Sequence, residues 1–208
     1  MESLLKDIEN VRKSRVKSII DSRLREFTDT GRKAGEDIFS ELCFCILTAN
    51  YSAAGGMKIQ QCLGRGFLEL PENELVSRLK ELGHRFPNAR ADYIIKAREL
   101  SRDMANVLKS GGGENEVREW FVKNVRGLGY KEASHFLRNI GYSDLAIIDF
   151  HIIDILERHG LIKRPKTLTK KRYIEIENVL RKIAEKLDMS LAELDLYLWY
   201  METGKVLK

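Results

Sequence analysis

Apolar residues recur at intervals of three and four along most of this chain, and only three prolines, at 71, 87 and 165, interrupt its 208 residues. Between Leu4 and Phe27 the apolar positions Leu4, Leu5, Ile8, Val11, Val16, Ile19, Ile20, Leu24 and Phe27 stand among charged neighbours. That spacing lays an apolar stripe along one side of a helix, with a break near Ser14. Strand-like alternation is scarce, so the expected fold class is all-α.

The same reading places a strongly apolar helix over Ile38–Leu47, ending at Thr48–Ser52, and a short one in MKIQQCLG. Pro71 opens a helix that stops at Gly83, and another follows Pro87. Ser110–Gly113 is a flexible break, after which Glu114–Lys123 is amphipathic. Asp149 is placed to cap a helix through Leu156, and Lys171–Leu187 and Ser190–Met201 form a final pair, with Ser190 and Glu193 spaced as a capping box.

The formal charge is +5, from 36 Lys and Arg against 31 Asp and Glu, a mild bias toward a polyanionic partner. No run is long and apolar enough to span a membrane, and the charged, amphipathic amino end does not resemble a secretory signal. Cys43, Cys45 and Cys62 lie early and read as buried free thiols, which fits a reducing cell interior. The four histidines lack compact ligand spacing, so no metal site is expected.

Between two helix candidates lies Val125-Arg126-Gly127-Leu128-Gly129-Tyr130. Its glycines permit positive backbone torsions and close approach, and its amides sit at the start of a helix, where an anion such as a phosphate is favoured. Val125 and Leu128 would anchor the turn. Lys131 follows at once, and Asp149 comes 18 residues later. An amine attacks only when uncharged, and the positive end of a helix disfavours an ammonium. A carboxylate capping a helix is held ionised by the local amides, and could stabilise positive charge on a deoxyribose C1′ while orienting the amine. A tight interhelical turn, an exposed lysine and a simple cap would account for each feature taken singly.

Several stretches together carry a family resemblance: ELCFCILTAN, LGHRF, GLGYKEASHFLRN, AIIDFHI, ELDLYLWY and the terminal TGKVLK. The chain resembles the helix-hairpin-helix DNA glycosylases with a glycine/proline-rich loop and aspartate, and more narrowly the archaeal-type 8-oxoguanine DNA glycosylase/AP lyases. The resemblance implies two helical subdomains flanking an active-site cleft, residues 1–35 with 144–208 and a central 36–143 that contains the hairpin. Damaged double-stranded DNA is then the partner, met by a monomer inside the cell. Lys131 and Asp149 would be the catalytic pair, forming a Schiff base and then nicking the strand by β-elimination.

By the same resemblance Phe86 and Trp199 are the two faces of a base sandwich, with Lys208 near the purine edge. Asn50 would lie near the gap left in the duplex, while Arg126, Gly127, Gly129 and His151 would approach the DNA backbone. No cofactor is implied: the iron-sulfur loop of endonuclease III-like relatives needs four late cysteines, which are absent. The wider family leaves room for a monovalent cation on hairpin carbonyls near Arg126 and Gly129. Phe150 departs from the resemblance, in which Arg or Lys commonly stands between this aspartate and histidine; losing that cation weakens a phosphate contact and leaves the reaction type intact. Two alternatives stay open: a glycosylase of this fold for other oxidised bases, and a noncatalytic DNA-binding module.

Overall fold

The computed structural model describes residues 1–208, and all of its regular structure is helical. In chain order the helices are Glu2–Arg12 (α1), Val16–Gly31 (α2), Gly35–Thr48 (α3), Ala53–Leu63 (α4), Gly66–Glu69 (α5), Glu72–Glu81 (α6), Pro87–Glu99 (α7), Ser101–Lys109 (α8), Glu114–Asn124 (α9), Tyr130–Asn139 (α10), Phe150–Arg158 (α11), Lys170–Leu187 (α12) and Leu191–Thr203 (α13).

Local chemistry sets the boundaries. The Ser14 hydroxyl donates to the Val11 carbonyl at 2.7 Å and accepts the Val16 N–H at 3.2 Å, closing α1 and opening α2. Ser52 caps α4, Thr169 caps α12 and Ser190 caps α13, each accepting an amide of the first turn. In α3 every residue from Leu42 to Leu47 is fully buried, and α4 comes so close that a Cβ on Gly56 would meet Phe44 and Thr48 at 3.0–3.1 Å. Cys43 and Cys45 are buried on α3, but Cys62 is exposed. The expectation of a buried thiol fails there because Ile59 and Leu63, not Cys62, occupy the inner face of α4.

The apolar side chains collect into two cores. One holds 25 buried residues between Phe39 and Leu145, and the other holds 21 drawn from Leu4–Phe27 and Ala146–Leu198. The chain passes from one to the other at Leu145–Ala146, in an extended run that leads directly to Asp149.

Buried polar groups fix that crossing. Arg118 of α9 and Glu177 of α12 form a two-pronged ion pair, at 2.5 and 2.8 Å, with side chains only 1% and 3% exposed. The Arg118 guanidinium also donates to the Ser134 hydroxyl of α10 at 3.2 Å, and Glu177 accepts the Ala146 N–H at 2.9 Å. The Tyr173 hydroxyl donates to the Ala146 carbonyl at 2.7 Å and accepts the Ile148 N–H at 3.2 Å. One cluster of α12 side chains therefore holds both α9 and the extended run. Removing one member of such a pair leaves an uncompensated buried charge, so Glu177→Ala is expected to cost about 3–5 kcal/mol of unfolding free energy in urea titration. A loss below about 1 kcal/mol, the range of an exposed pair, would contradict the bridging role.

Candidate active site

The hairpin between α9 and α10 is pinned from below by Val125 and Leu128, 2% and 5% exposed. Gly127 has φ +87°, and a Cβ there would fall 2.4 Å from the Tyr93 ring, so both backbone and space exclude a larger residue. The Arg126 guanidinium lies over the same ring, 5.3 Å from its centroid, and pairs with Asp92 at 3.3 Å while remaining largely exposed. The N–H of Gly129 donates to the Glu132 carboxylate at 3.3 Å. The amides of Arg126, Gly127, Tyr130 and Lys131 donate to nothing within the chain, leaving a cluster of N–H groups at the start of α10. Such a cluster, backed by a helix terminus, is suited to a phosphate.

Beside the hairpin is a cleft of about 820 Å³. Its walls come from the end of α3 and the loop to α4, from α10, from the run entering α11, from α13 and from the carboxy-terminal tail. Lys131, Asp149, Asn50, His151, Trp199 and Lys208 all line it. Lys131 stands in the first turn of α10, 26% exposed and 3.9 Å from Glu132. Asp149 is the N-cap of α11: its Oδ1 accepts the Ile152 N–H at 3.0 Å, and its Oδ2 accepts no hydrogen bond from the chain. Asn50 stands in the turn after α3 with φ +58° and is exposed at the cleft. His151 stands edge-on to the Trp199 ring at 5.0 Å.

Phe86 and Lys208, both expected at the base, have other partners in this structure. Phe86 is not among the side chains that line the cleft with Trp199. Its N–H is held by the Nδ1 of His84 at 3.0 Å, and its ring lies under Arg85 and Arg90. His84 is fixed in turn by the Leu47 carbonyl at 3.0 Å and by packing on Tyr51, which does line the cleft. The Lys208 amine is already engaged, at 2.6 Å from both Glu41 and Gln60 and over the Phe44 ring. A purine edge would have to compete for it.

The structure adds His135, Arg138 and Asp195 to the cleft. Helical spacing carried that signal: 131, 135 and 138 share one face of α10, and 195 and 199 share one face of α13. Burial, with the neighbouring Arg138 and Lys131 charges, holds the His135 imidazole well below its usual range, so the ring is neutral. Its Nδ1 and the indole Nε1 of Trp199 are both buried without a hydrogen-bond partner. Buried polar atoms of this kind await a ligand or water. No group of three or more His, Cys, Asp or Glu side chains is gathered that could hold a metal ion.

Asp195 pairs with Arg138 at 2.5 Å, the two side chains being 10% and 4% exposed. Burial pushes the Asp195 carboxyl up to about 6; Arg138 opposes this, Asp149 reinforces it and Lys131 opposes it. An acid that holds its proton more tightly when folded contributes stability below its ordinary value of 3.8 and loses it as pH rises through about 6. Asp195→Asn lacks this titration. Its melting temperature relative to the wild type is therefore expected to rise between about pH 4 and pH 7; a constant or falling difference would contradict the buried, proton-binding carboxyl.

Comparison with known proteins bears on this site directly. A family model described as 8-oxoguanine DNA glycosylase matches residues 20–189. The 8-oxoguanine DNA glycosylase/AP lyase of Methanocaldococcus jannaschii is 52% identical over 206 residues, with 99% of each chain covered. That of Korarchaeum cryptofilum is 49% identical, covering 100% of this chain and 99% of the relative. The crystal structure of the M. jannaschii 8-oxoguanine glycosylase/lyase in complex with a 15mer DNA containing 8-oxoguanine superposes with a TM-score of 0.96, over 99% of this chain and 100% of the other. With the family model matching most of the chain and close relatives matching its full length, the chain belongs to the 8-oxoguanine DNA glycosylase/AP lyase family of the helix-hairpin-helix fold.

Proposed function

We propose that this protein draws 8-oxoguanine out of duplex DNA into the cleft, removes it with the Lys131 amine and then cleaves the strand at the abasic site. The observation that carries this reading is that Lys131 and Asp149, each at the amino end of its own helix, line one cleft beside the unpaired amides of the hairpin. The hairpin amides and Arg126 take the phosphate backbone, so that the extruded nucleotide presents its sugar between the two side chains. The Lys131 nitrogen bonds to C1′ as the bond from C1′ to the base breaks, and the base leaves with the electron pair and takes up a proton. The Oδ2 of Asp149, which no group of the chain engages, faces the positive charge that develops on C1′. Ring opening gives the Schiff base; loss of a C2′ proton then expels the 3′ phosphate, and water returns the amine.

Trp199, with its unsatisfied indole N–H, supplies one stacking face and one donor for the base. Phe86 completes a sandwich only if the 84–86 segment turns toward the cleft, and Lys208 reaches the purine edge only by leaving Glu41 or Gln60. No helix is long and apolar enough to cross a membrane.

Borohydride reduction tests the chemistry. Wild-type protein with duplex containing 8-oxoguanine is expected to yield a covalent adduct, while Lys131→Gln yields none although it still binds the duplex. Asp149→Asn is expected to slow base excision by about 10²–10³-fold, the scale of losing one transition-state stabiliser. Undiminished adduct from the Lys131 variant would remove the covalent assignment, and equal excision across a panel of oxidised bases would remove the stated lesion.

A further inference from the structure

Among large apolar side chains only Ile19, Phe86 and Phe150 are exposed, and Phe150 is the most exposed of them at 63%. It is the first residue of α11, directly after Asp149, and it lines the mouth of the cleft. Nothing at a helix start requires an aromatic residue, and here its outer face covers no core. The Phe150 ring packs against His151 at a tilt, with centroids 4.0 Å apart and planes at 37°, and His151 stands edge-on to Trp199 at 5.0 Å. The three rings form a file from the interior of the cleft to its rim, and its outermost member presents an open face.

We propose that Phe150 is a stacking platform for the nucleobase adjacent to the extruded nucleotide on the damaged strand. The proposal rests on the reading above, in which Asp149 faces C1′ of the extruded sugar. Phe150 follows Asp149 directly and borders the same cleft, so its open ring and the carboxylate that faces C1′ share one opening toward the DNA. A base whose neighbour has left the helix has one π-face uncovered, and an exposed aromatic ring offers the matching surface without regard to sequence. An uncharged ring gives this contact a signature distinct from every phosphate contact in the site: it adds affinity and does not change the dependence on salt.

The test uses full-length protein and a duplex with an uncleavable tetrahydrofuran site flanked by 2-aminopurine, placed on either side in turn. With wild-type protein, one of the two positions is expected to lose fluorescence on binding, as a stacked base does. Phe150→Ala is expected to abolish that quenching and to weaken binding about tenfold, with the slope of log Kd against log salt unchanged, and Phe150→Trp to restore both signals. Unaltered quenching and affinity in Phe150→Ala would overturn the proposal, as would a loss of affinity accompanied by a flatter salt slope. Borohydride trapping of the wild type on 8-oxoguanine duplex reads the underlying reaction separately. Trapping intact with no effect of Phe150→Ala removes only the stacking role, whereas absent trapping removes the reaction on which it rests.

Discussion

The enclosed pair of Arg118 and Glu177 is the joint on which this molecule turns. Two apolar cores built from different parts of the chain meet along a cleft, and this pair is the most enclosed of the ionic contacts that cross between them. Burying both charges is expensive, and the expense is recovered only when the two-pronged geometry is met together with the Ser134 and Ala146 contacts. That requirement selects one arrangement of α9, α10 and α12. With Tyr173 it also fixes the extended run that delivers Asp149, so a structural ion pair governs the position of a carboxylate it never touches.

A second buried chain reinforces the joint on the side of the cleft. Arg138 reaches from α10 to Asp195 on α13 and to Asn139; Asn139 reaches Glu41 on α3, and Glu41 holds the terminal Lys208. Lys131 shares α10 with Arg138, so the helix carrying the amine is tied to both cores. The site thus divides its tasks by secondary structure. Helix starts present the hairpin amides, the amine and the carboxylate, while helix interiors supply Trp199, His135 and the polar chain behind them.

Much of this was legible in the chain. The period of three to four specified helices, and the Ser14 break, the Asp149 cap and the Ser190 cap appear where their side-chain chemistry placed them. What escaped were short or irregular pieces: α5 has four residues, fewer than two turns, and α8 runs on almost directly from α7 without a glycine or proline between them. In the site, Lys131 stood out because it follows a glycine turn, and Asp149 because it precedes an apolar helix. Asp195 and Arg138 did not, because a charged residue amid a helix reads as a solvated face until its partner on another element is known. Phe86 shows a further limit: the sequence does not reveal that His84 holds its backbone or that Arg85 and Arg90 lie over its ring.

The most direct measurement is a crystal structure of the complex with duplex DNA carrying a lesion nucleotide that resists cleavage, read at the sugar. The Lys131 nitrogen is expected within about 3.5 Å of C1′, in line with the bond to the base, with an oxygen of Asp149 facing the same carbon. A seated lesion whose C1′ lies beyond reach of either group would contradict that placement.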